Sequence, residues 1–124
     1  MPFNMKFQVT ASMQGSSFSV SGAWVEVGNV KIAADLTTPA DSTGVELPIS
    51  FTLAGLQGIS FVSDKGCTLH LIGPAGTQDI ALLPGITYDW SKSTGEPNPF
   101  AGDVASATVD SAIGQWLRVL GVSN

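Results

Sequence analysis

The sequence contains one cysteine and one histidine, and this scarcity excludes several kinds of chemistry. A lone Cys67 cannot form a disulfide bond within the chain. With His70 as the only imidazole, histidine and cysteine ligands cannot build a zinc or iron site. A Ser-His-Asp triad would have to use His70, which lies between Leu69 and Leu71 in an alternating segment rather than in a loop. We therefore predict that the protein is not an enzyme and carries no metal or other cofactor.

The same alternation gives each of these two residues a structural interpretation. Cys67 alternates with apolar residues, so we expect a small buried side chain rather than a reactive thiol. His70 belongs to the other face of the same segment, and we expect it to face solvent or to be hydrogen-bonded. Neither residue is therefore expected to take part in a reaction.

Charge is also scarce, since Asp, Glu, Lys and Arg make up 12% of the chain, against about 25% in an average domain. The basic residues occur singly, and the formal net charge is −5. Binding to nucleic acid requires clustered Lys and Arg to displace counterions from phosphates, and anionic membranes attract the same clusters. We therefore predict no nucleic-acid partner and no membrane partner.

Long apolar runs are missing as well, and none approaches the roughly 20 residues that a membrane-spanning helix needs. Residues 1–6 lack the charged and then apolar plan of a signal peptide. We therefore expect a protein that is made and kept inside a cell, or within a particle assembled there.

Apolar and polar residues alternate with a period of two through most of the chain, which is typical of β-strands. In residues 5–11, for example, Met, Phe, Val and Ala occupy every second position. Turn residues separate about ten such segments, and no helical period persists. Two long connections, 37–48 and 91–103, favour Greek-key connections over a plain meander. We predict an all-β domain over residues 1–124, a β-sandwich or jelly-roll-like fold of about ten short antiparallel strands with almost no helix.

Glycines and chain ends allow more local predictions. A change of side near Gly22 predicts a β-bulge, and Gly28-Asn29 predicts a two-residue hairpin between the flanking strands. The segment Gly73–Gly76 predicts another turn. The ends, residues 1–4 and 121–124, are light and apolar, so they could act as arms that reach to neighbouring molecules, or alternatively fray.

The aromatic residues supply the candidate binding surface. Tyr88 and Trp90 enter the second long loop, which is rich in Pro and Gly, and we expect both to be exposed. Together with Trp24 and Trp116 they could form a flat platform for sugar rings, although we favour a position of Trp24 and Trp116 in or at the rim of the core. Phe100 is expected to hold the loop to the body. The possible exposed binding or interface residues are Tyr88, Trp90, Phe100 and Trp116.

Three carboxylates, Asp89, Glu96 and Asp103, flank the second long loop, but their spacing matches no calcium-binding loop. The glycines never form a phosphate-binding loop before a helix. The sequence therefore predicts neither a calcium site nor a nucleotide site.

The second half of the chain contains a Leu-Pro-Gly stretch with a following Trp, then a loop and the expected final hairpin, in Leu83–Trp90, Asn98–Val104 and a segment ending Leu117–Leu120. In this succession it resembles compact all-β structural proteins of tailed-bacteriophage virions. The resemblance implies location in the virion and assembly as a homo-oligomer with other virion proteins, such as the major capsid protein. The function it implies is capsid decoration or cement, or alternatively a tail or head-fibre component. A carbohydrate-binding β-sandwich module is the alternative from another class.

Overall fold

A computed structural model describes residues 2–12 and 19–124, with the backbone alone for residues 9–12 and 19–22. The described residues contain no helix with the length and hydropathy that a membrane span requires. They form ten strands and a short 3-10 turn at Lys92–Thr94. The strands are β1 (Phe3–Ser12), β2 (Ser19–Gly28), β3 (Val30–Thr38), β4 (Ser42–Leu47), β5 (Leu56–Ser63), β6 (Cys67–Gly73), β7 (Gly76–Leu82), β8 (Tyr88–Ser91), β9 (Ser106–Ser111) and β10 (Gln115–Ser123).

Eight of the strands form two four-stranded antiparallel sheets. Sheet I has the order β3-β10-β5-β8, and sheet II has the order β4-β9-β6-β7. From β3 to β10 the chain changes sheet at every connection except β6–β7, where Gly73 pairs with Gly76 across a tight hairpin. These crossings exclude a plain meander, but the long connection predicted at residues 37–48 is wrong, because it contains β4. The prediction of an all-β, sandwich-like domain is confirmed.

The main core lies between the two sheets and consists of the inward side chains of the alternating strands. In β6, Cys67, Leu69 and Leu71 are buried in this core, as the sequence predicted for Cys67. Burial in apolar surroundings raises the pKa of the Cys67 thiol, so the side chain stays uncharged. Phe100 is 4% exposed and packs edge-to-face against Phe51 at 5.2 Å between ring centroids. It therefore holds the second long loop to the core, as expected.

The first two strands form a separate hairpin that packs on the outer face of sheet I. Its register runs without interruption from Phe3 paired with Gly28 to Ser12 paired with Ser19. The predicted bulge near Gly22 is therefore wrong, because Gly22 pairs regularly with Val9. The turn expected at residues 14–17 lies outside the described residues.

Other local predictions fail because strands that are neighbours in sequence belong to different sheets. The hairpin predicted at Gly28-Asn29 does not form, since β2 pairs with β1 and β3 pairs with β10. Glycine is needed at Gly28 for another reason: a Cβ atom there would lie 2.5 Å from the backbone oxygen of Ser123. The final hairpin of the phage-like pattern is also absent, because β9 lies in sheet II and β10 in sheet I.

The predicted arms are largely built into the sheets. Residues 121–123 complete β10 and pair with β3, so this end of the chain does not extend as an arm. Phe3 and Asn4 lie in β1 and pair with β2. Met1 lies outside the described residues. Backbone pairing, which short apolar segments favour when a free strand edge is near, takes the place of the expected extension.

Candidate functional site

A small apolar cluster, separate from the main core, holds the β1–β2 hairpin on the outer face of sheet I. Met5 and Phe7 of β1 pack with Val122 of β10. The Phe7 ring stacks on Trp24, with 5.3 Å between centroids and 2° between the planes. A Cβ atom at Gly58 would lie 3.0 Å from the Phe7 ring, so the missing side chain lets the ring rest directly on the sheet. The hairpin is thus fitted to this position by shape.

A buried carboxylate also holds the hairpin on sheet I. Glu26 is 5% exposed and accepts hydrogen bonds from the Ser91 hydroxyl at 2.5 Å and from the Ser93 backbone N–H at 2.9 Å. The Trp24 indole N–H donates to Ser91 Oγ at 2.7 Å, which extends the network. Burial alone would raise the pKa of Glu26, but the bonds from Ser91 and Ser93 and the charge of Lys92 lower it overall. Glu26 is therefore held as a satisfied anion at the hairpin's contact with β8.

Beside the docked hairpin, an open groove of about 590 Å³ lies over the outer face of sheet I. One wall is the edge of β1, because the consecutive residues 5–8 all line the groove. The floor includes Ala33 of β3, Val62 of β5 and Leu120 of β10, and Leu120 is half exposed. Within the described residues no strand pairs with this edge of β1. The groove therefore combines an apolar floor with unpaired backbone groups, which is the arrangement that accepts an added strand.

Three of the charged side chains that line this groove, Asp35, Asp89 and Arg118, contact neighbouring side chains. Arg118 Nε lies 3.7 Å from Asp35 Oδ2, and the Arg118 guanidinium lies 4.5 Å from the centre of the Trp116 ring. Asp89 accepts a hydrogen bond from the Ser60 hydroxyl. Charged side chains thus lie at the margin of an apolar floor.

The structure does not assemble the predicted aromatic surface. Trp90 is 7% exposed, and its indole N–H donates to the Glu96 carbonyl at 3.1 Å, so its expected exposure is wrong. Tyr88 is half-buried against the core, and Phe100 is buried. The period of two explains this result, because Tyr88 and Trp90 share the inward face of β8. Trp116 lies apart from them, half-buried on the outer face of sheet I.

His70 lies on the outer face of sheet II and is hydrogen-bonded, as expected from the sequence. Its Nδ1 is 2.6 Å from Asp79 Oδ1, and its Nε2 is 2.7 Å from Asp110 Oδ2. The other oxygen of Asp110 accepts the backbone N–H of Gly44 at 2.7 Å. Both ring nitrogens are thus occupied by carboxylates, and neither points to a nucleophile.

The carboxylates that flank the second long loop have separate roles. Asp103 Oδ1 accepts the backbone N–H of Leu53 at 2.8 Å, and Asp89 is bonded to Thr87 and Ser60. Across residues 2–12 and 19–124, no group of three or more His, Cys, Asp or Glu side chains is placed to hold a metal ion.

Sequence reasoning missed Glu26 and misread the strand that carries it. Val25 and Val27, which look like core residues, are each 49% exposed, whereas Glu26 between them is buried. One signal was present: Glu26 shares its face of β2 with Trp24. A polar residue that alternates in phase with a large aromatic indicates a buried polar contact. The partner, Ser91, is 65 residues away in sequence and leaves no local pattern.

In comparisons with known proteins, no family model matches this chain, and neither a curated protein nor a solved structure matches it at a significant level.

Proposed function

We propose that this chain is a non-enzymatic structural subunit of a virion, a decoration or cement protein of the tailed-bacteriophage type. In this proposal it acts through contacts with copies of itself and with shell proteins such as the major capsid protein. The observation that carries it is the groove beside the β1–β2 hairpin, with its unpaired strand edge and apolar floor. Such an edge is usually blunted in proteins that remain alone, because it invites pairing with another chain.

The occupant proposed for the groove is the hairpin of a second copy. Its outward side presents Val25 and Val27, each about half exposed, which match the apolar floor around Leu120. Lys6 lies on the outward side of the hairpin as the cross-strand partner of Val25. Asp35 lies at the margin of the groove, and its side chain, 69% exposed, can receive such a cation beside Arg118. Apolar surface would thus meet apolar surface, and a lysine would meet a carboxylate.

This contact is head-to-tail, because the outward side of β2 around Val25 and Val27 and the floor of the groove are different surfaces of the same chain. Head-to-tail contacts close into rings or continue as arrays, which are the forms needed to cover a shell. The low charge of the chain agrees with this role, since a surface that is buried on assembly needs few charges.

Light scattering on the purified protein over a range of concentrations tests the proposal. We expect discrete oligomers for the native chain and monomers for Ala33→Arg, which fills the floor of the groove with a charged side chain. Ala81→Arg is the matched control, because Ala81 is also an exposed strand alanine but lies on sheet II. Monomers at every concentration of the native chain, or oligomers unaffected by Ala33→Arg, would contradict assembly through this groove.

A mixing experiment tests the head-to-tail geometry itself. Val27→Lys alters the outward side of the hairpin and leaves the groove intact, whereas Ala33→Arg does the reverse. We expect each variant alone to be monomeric and an equimolar mixture to form a dimer, because one intact hairpin then meets one intact groove. A mixture that stays monomeric, while the native chain assembles, would show that another surface makes the contact.

A further inference from the structure

His70 is central to a side-chain network that spans all four strands of sheet II. His70 lies on β6, between Asp79 on the edge strand β7 and Asp110 on β9. Asp110 continues the network to the other edge strand, because its second oxygen accepts the N–H of Gly44 in β4. No side chain of the main core takes part, so the network links the four strands on the outer surface of the sheet, separately from the core.

The geometry of this network requires a particular protonation state. Carboxylates accept hydrogen bonds, and a neutral imidazole has a single N–H to donate. With contacts of 2.6 Å at Nδ1 and 2.7 Å at Nε2, two ionised carboxylates can both accept a hydrogen bond only when both ring nitrogens carry a proton, that is, when His70 is an imidazolium. We propose that His70 is a proton-operated clasp, which holds the edge strand β7 through Asp79 while it is charged and releases Asp79 when it loses its proton.

Asp79, rather than Asp110, is the partner released. The Asp110 side chain is 37% exposed and is fixed by the Gly44 N–H, whereas the Asp79 side chain is 65% exposed. Without its proton, one ring nitrogen would present a lone pair to a carboxylate, which is repulsive. The carboxylate that can turn into water relieves the repulsion, and that is Asp79. Neutral His70 therefore keeps its proton on Nε2, facing Asp110.

The pKa shifts of His70 and Asp110 agree with a release of Asp79 while Asp110 stays bonded. Hydrogen bonds from the imidazole to Asp79 and to Asp110, aided by both negative charges, raise the pKa of His70 above its ordinary value of 6.5. The Gly44 N–H and His70 lower the pKa of Asp110 below its ordinary value of 3.8. The third carboxylate on this face is Glu46 of β4, whose cross-strand partner Thr108 is also the partner of His70.

The pH range of the clasp follows from these directions. A histidine with a raised pKa in the fold stabilises the fold fully below 6.5, and this contribution is lost as pH rises through the higher folded value. Asp110, with its lowered pKa, contributes fully above 3.8 and loses its contribution as pH falls through its folded value. The clasp is therefore complete between these two ordinary values and opens on the alkaline side by loss of the His70 proton.

Nitrogen NMR of the imidazole tests the clasp directly, because an untagged protein has no other histidine. We expect a titration midpoint above 6.5 and, on the alkaline side, a proton that remains on Nε2. Asp79→Asn and Asp110→Asn should each move the midpoint to lower pH, whereas Glu46→Gln, on the same face, should leave it nearly unchanged. A midpoint at or below 6.5, or a neutral form protonated on Nδ1, would overturn the proposal.

Amide hydrogen exchange tests whether the clasp acts on β7. After correction for the intrinsic pH dependence of exchange, protection of residues 76–82 relative to β6 should fall as pH rises through the His70 titration. Asp79→Asn lacks the ion pair with His70 at every pH, so its relative protection of β7 should not fall. Equal relative protection of β7 on both sides of the titration in the native chain would show a static ion pair and refute the clasp.

Discussion

The sandwich and the β1–β2 hairpin are held together by different means. The sandwich has a continuous apolar core between its sheets, with side chains such as Phe61 and Leu117 fully buried. The hairpin rests on sheet I through three buried apolar residues, Met5, Phe7 and Val122, and through the buried carboxylate of Glu26. Apolar burial is non-directional and tolerates adjustment, whereas the Glu26 bonds require specific donors.

This difference has a consequence for stability. The sandwich depends mainly on the area of apolar surface removed from water, which changes little with pH. The hairpin depends in addition on an ionised group, so acid weakens it before it weakens the core. The two regions should therefore respond separately to substitution and to pH, and the hairpin should be able to detach while the sandwich stays folded.

The largest loss of stability is expected for Phe61→Ala in the sandwich. Phe61 is completely buried, and removal of a buried Phe side chain costs about 3–5 kcal/mol of the free energy of unfolding. Chemical denaturation followed by tryptophan fluorescence measures the loss. Val62→Ala is the control, since Val62 faces the groove and is only half-buried, and its loss should be much smaller. Equal losses for the two variants would show that the core does not dominate stability.

A smaller loss of stability, confined to the hairpin, is expected for Gly28→Ala. The new Cβ atom would lie 2.5 Å from the Ser123 oxygen, so the hairpin must shift, at a cost of about 1–3 kcal/mol. Hydrogen exchange should show reduced protection in β1 and β2 and little change in β6. Gly114→Ala is the control, because its new Cβ atom would meet nothing nearer than 3.6 Å. Unchanged protection in the hairpin would mean that the contact between Gly28 and β10 is not close.

The smallest effect is expected for Glu26→Gln, which keeps the shape and removes the charge. A hydrogen bond to a charged group contributes about 1 kcal/mol more than a neutral one, so the hairpin should be weakened by about that amount at neutral pH. In the native chain, hairpin protection should also fall as pH decreases through the Glu26 pKa, which lies below the ordinary 4.5. The variant should lack this acid response.

Relative exchange rates of β2 and β6 amides between neutral and acidic pH give the readout for Glu26→Gln. Glu46→Gln removes an exposed carboxylate from sheet II and should keep the acid response of the hairpin. If the protection of the hairpin still falls in acid in Glu26→Gln, a group other than Glu26 causes the fall. The proposed difference between the hairpin and the sandwich would then be wrong.

Much of the sandwich was predictable, and most of the candidate site was not. The alternation in β6 placed Cys67 in the core and His70 on the opposite face, because the side chains of a strand alternate between two faces. The same rule did not predict that the outer face of sheet I is covered at Val122 and exposed at Leu120. That difference depends on where the hairpin docks.

The class of fold, most strand positions and the tight β6–β7 turn were predictable from the sequence, because they depend on local alternation and on turn residues. Tertiary structure decided which strands pair, why Gly28 must be glycine, and why Trp90 and Glu26 are buried while Val25 is exposed. A period of two states which side chains share a face of a strand, but it does not state what covers that face. The covering elements come from distant parts of the chain, as Ser91 does for Glu26, and only the folded molecule brings them together.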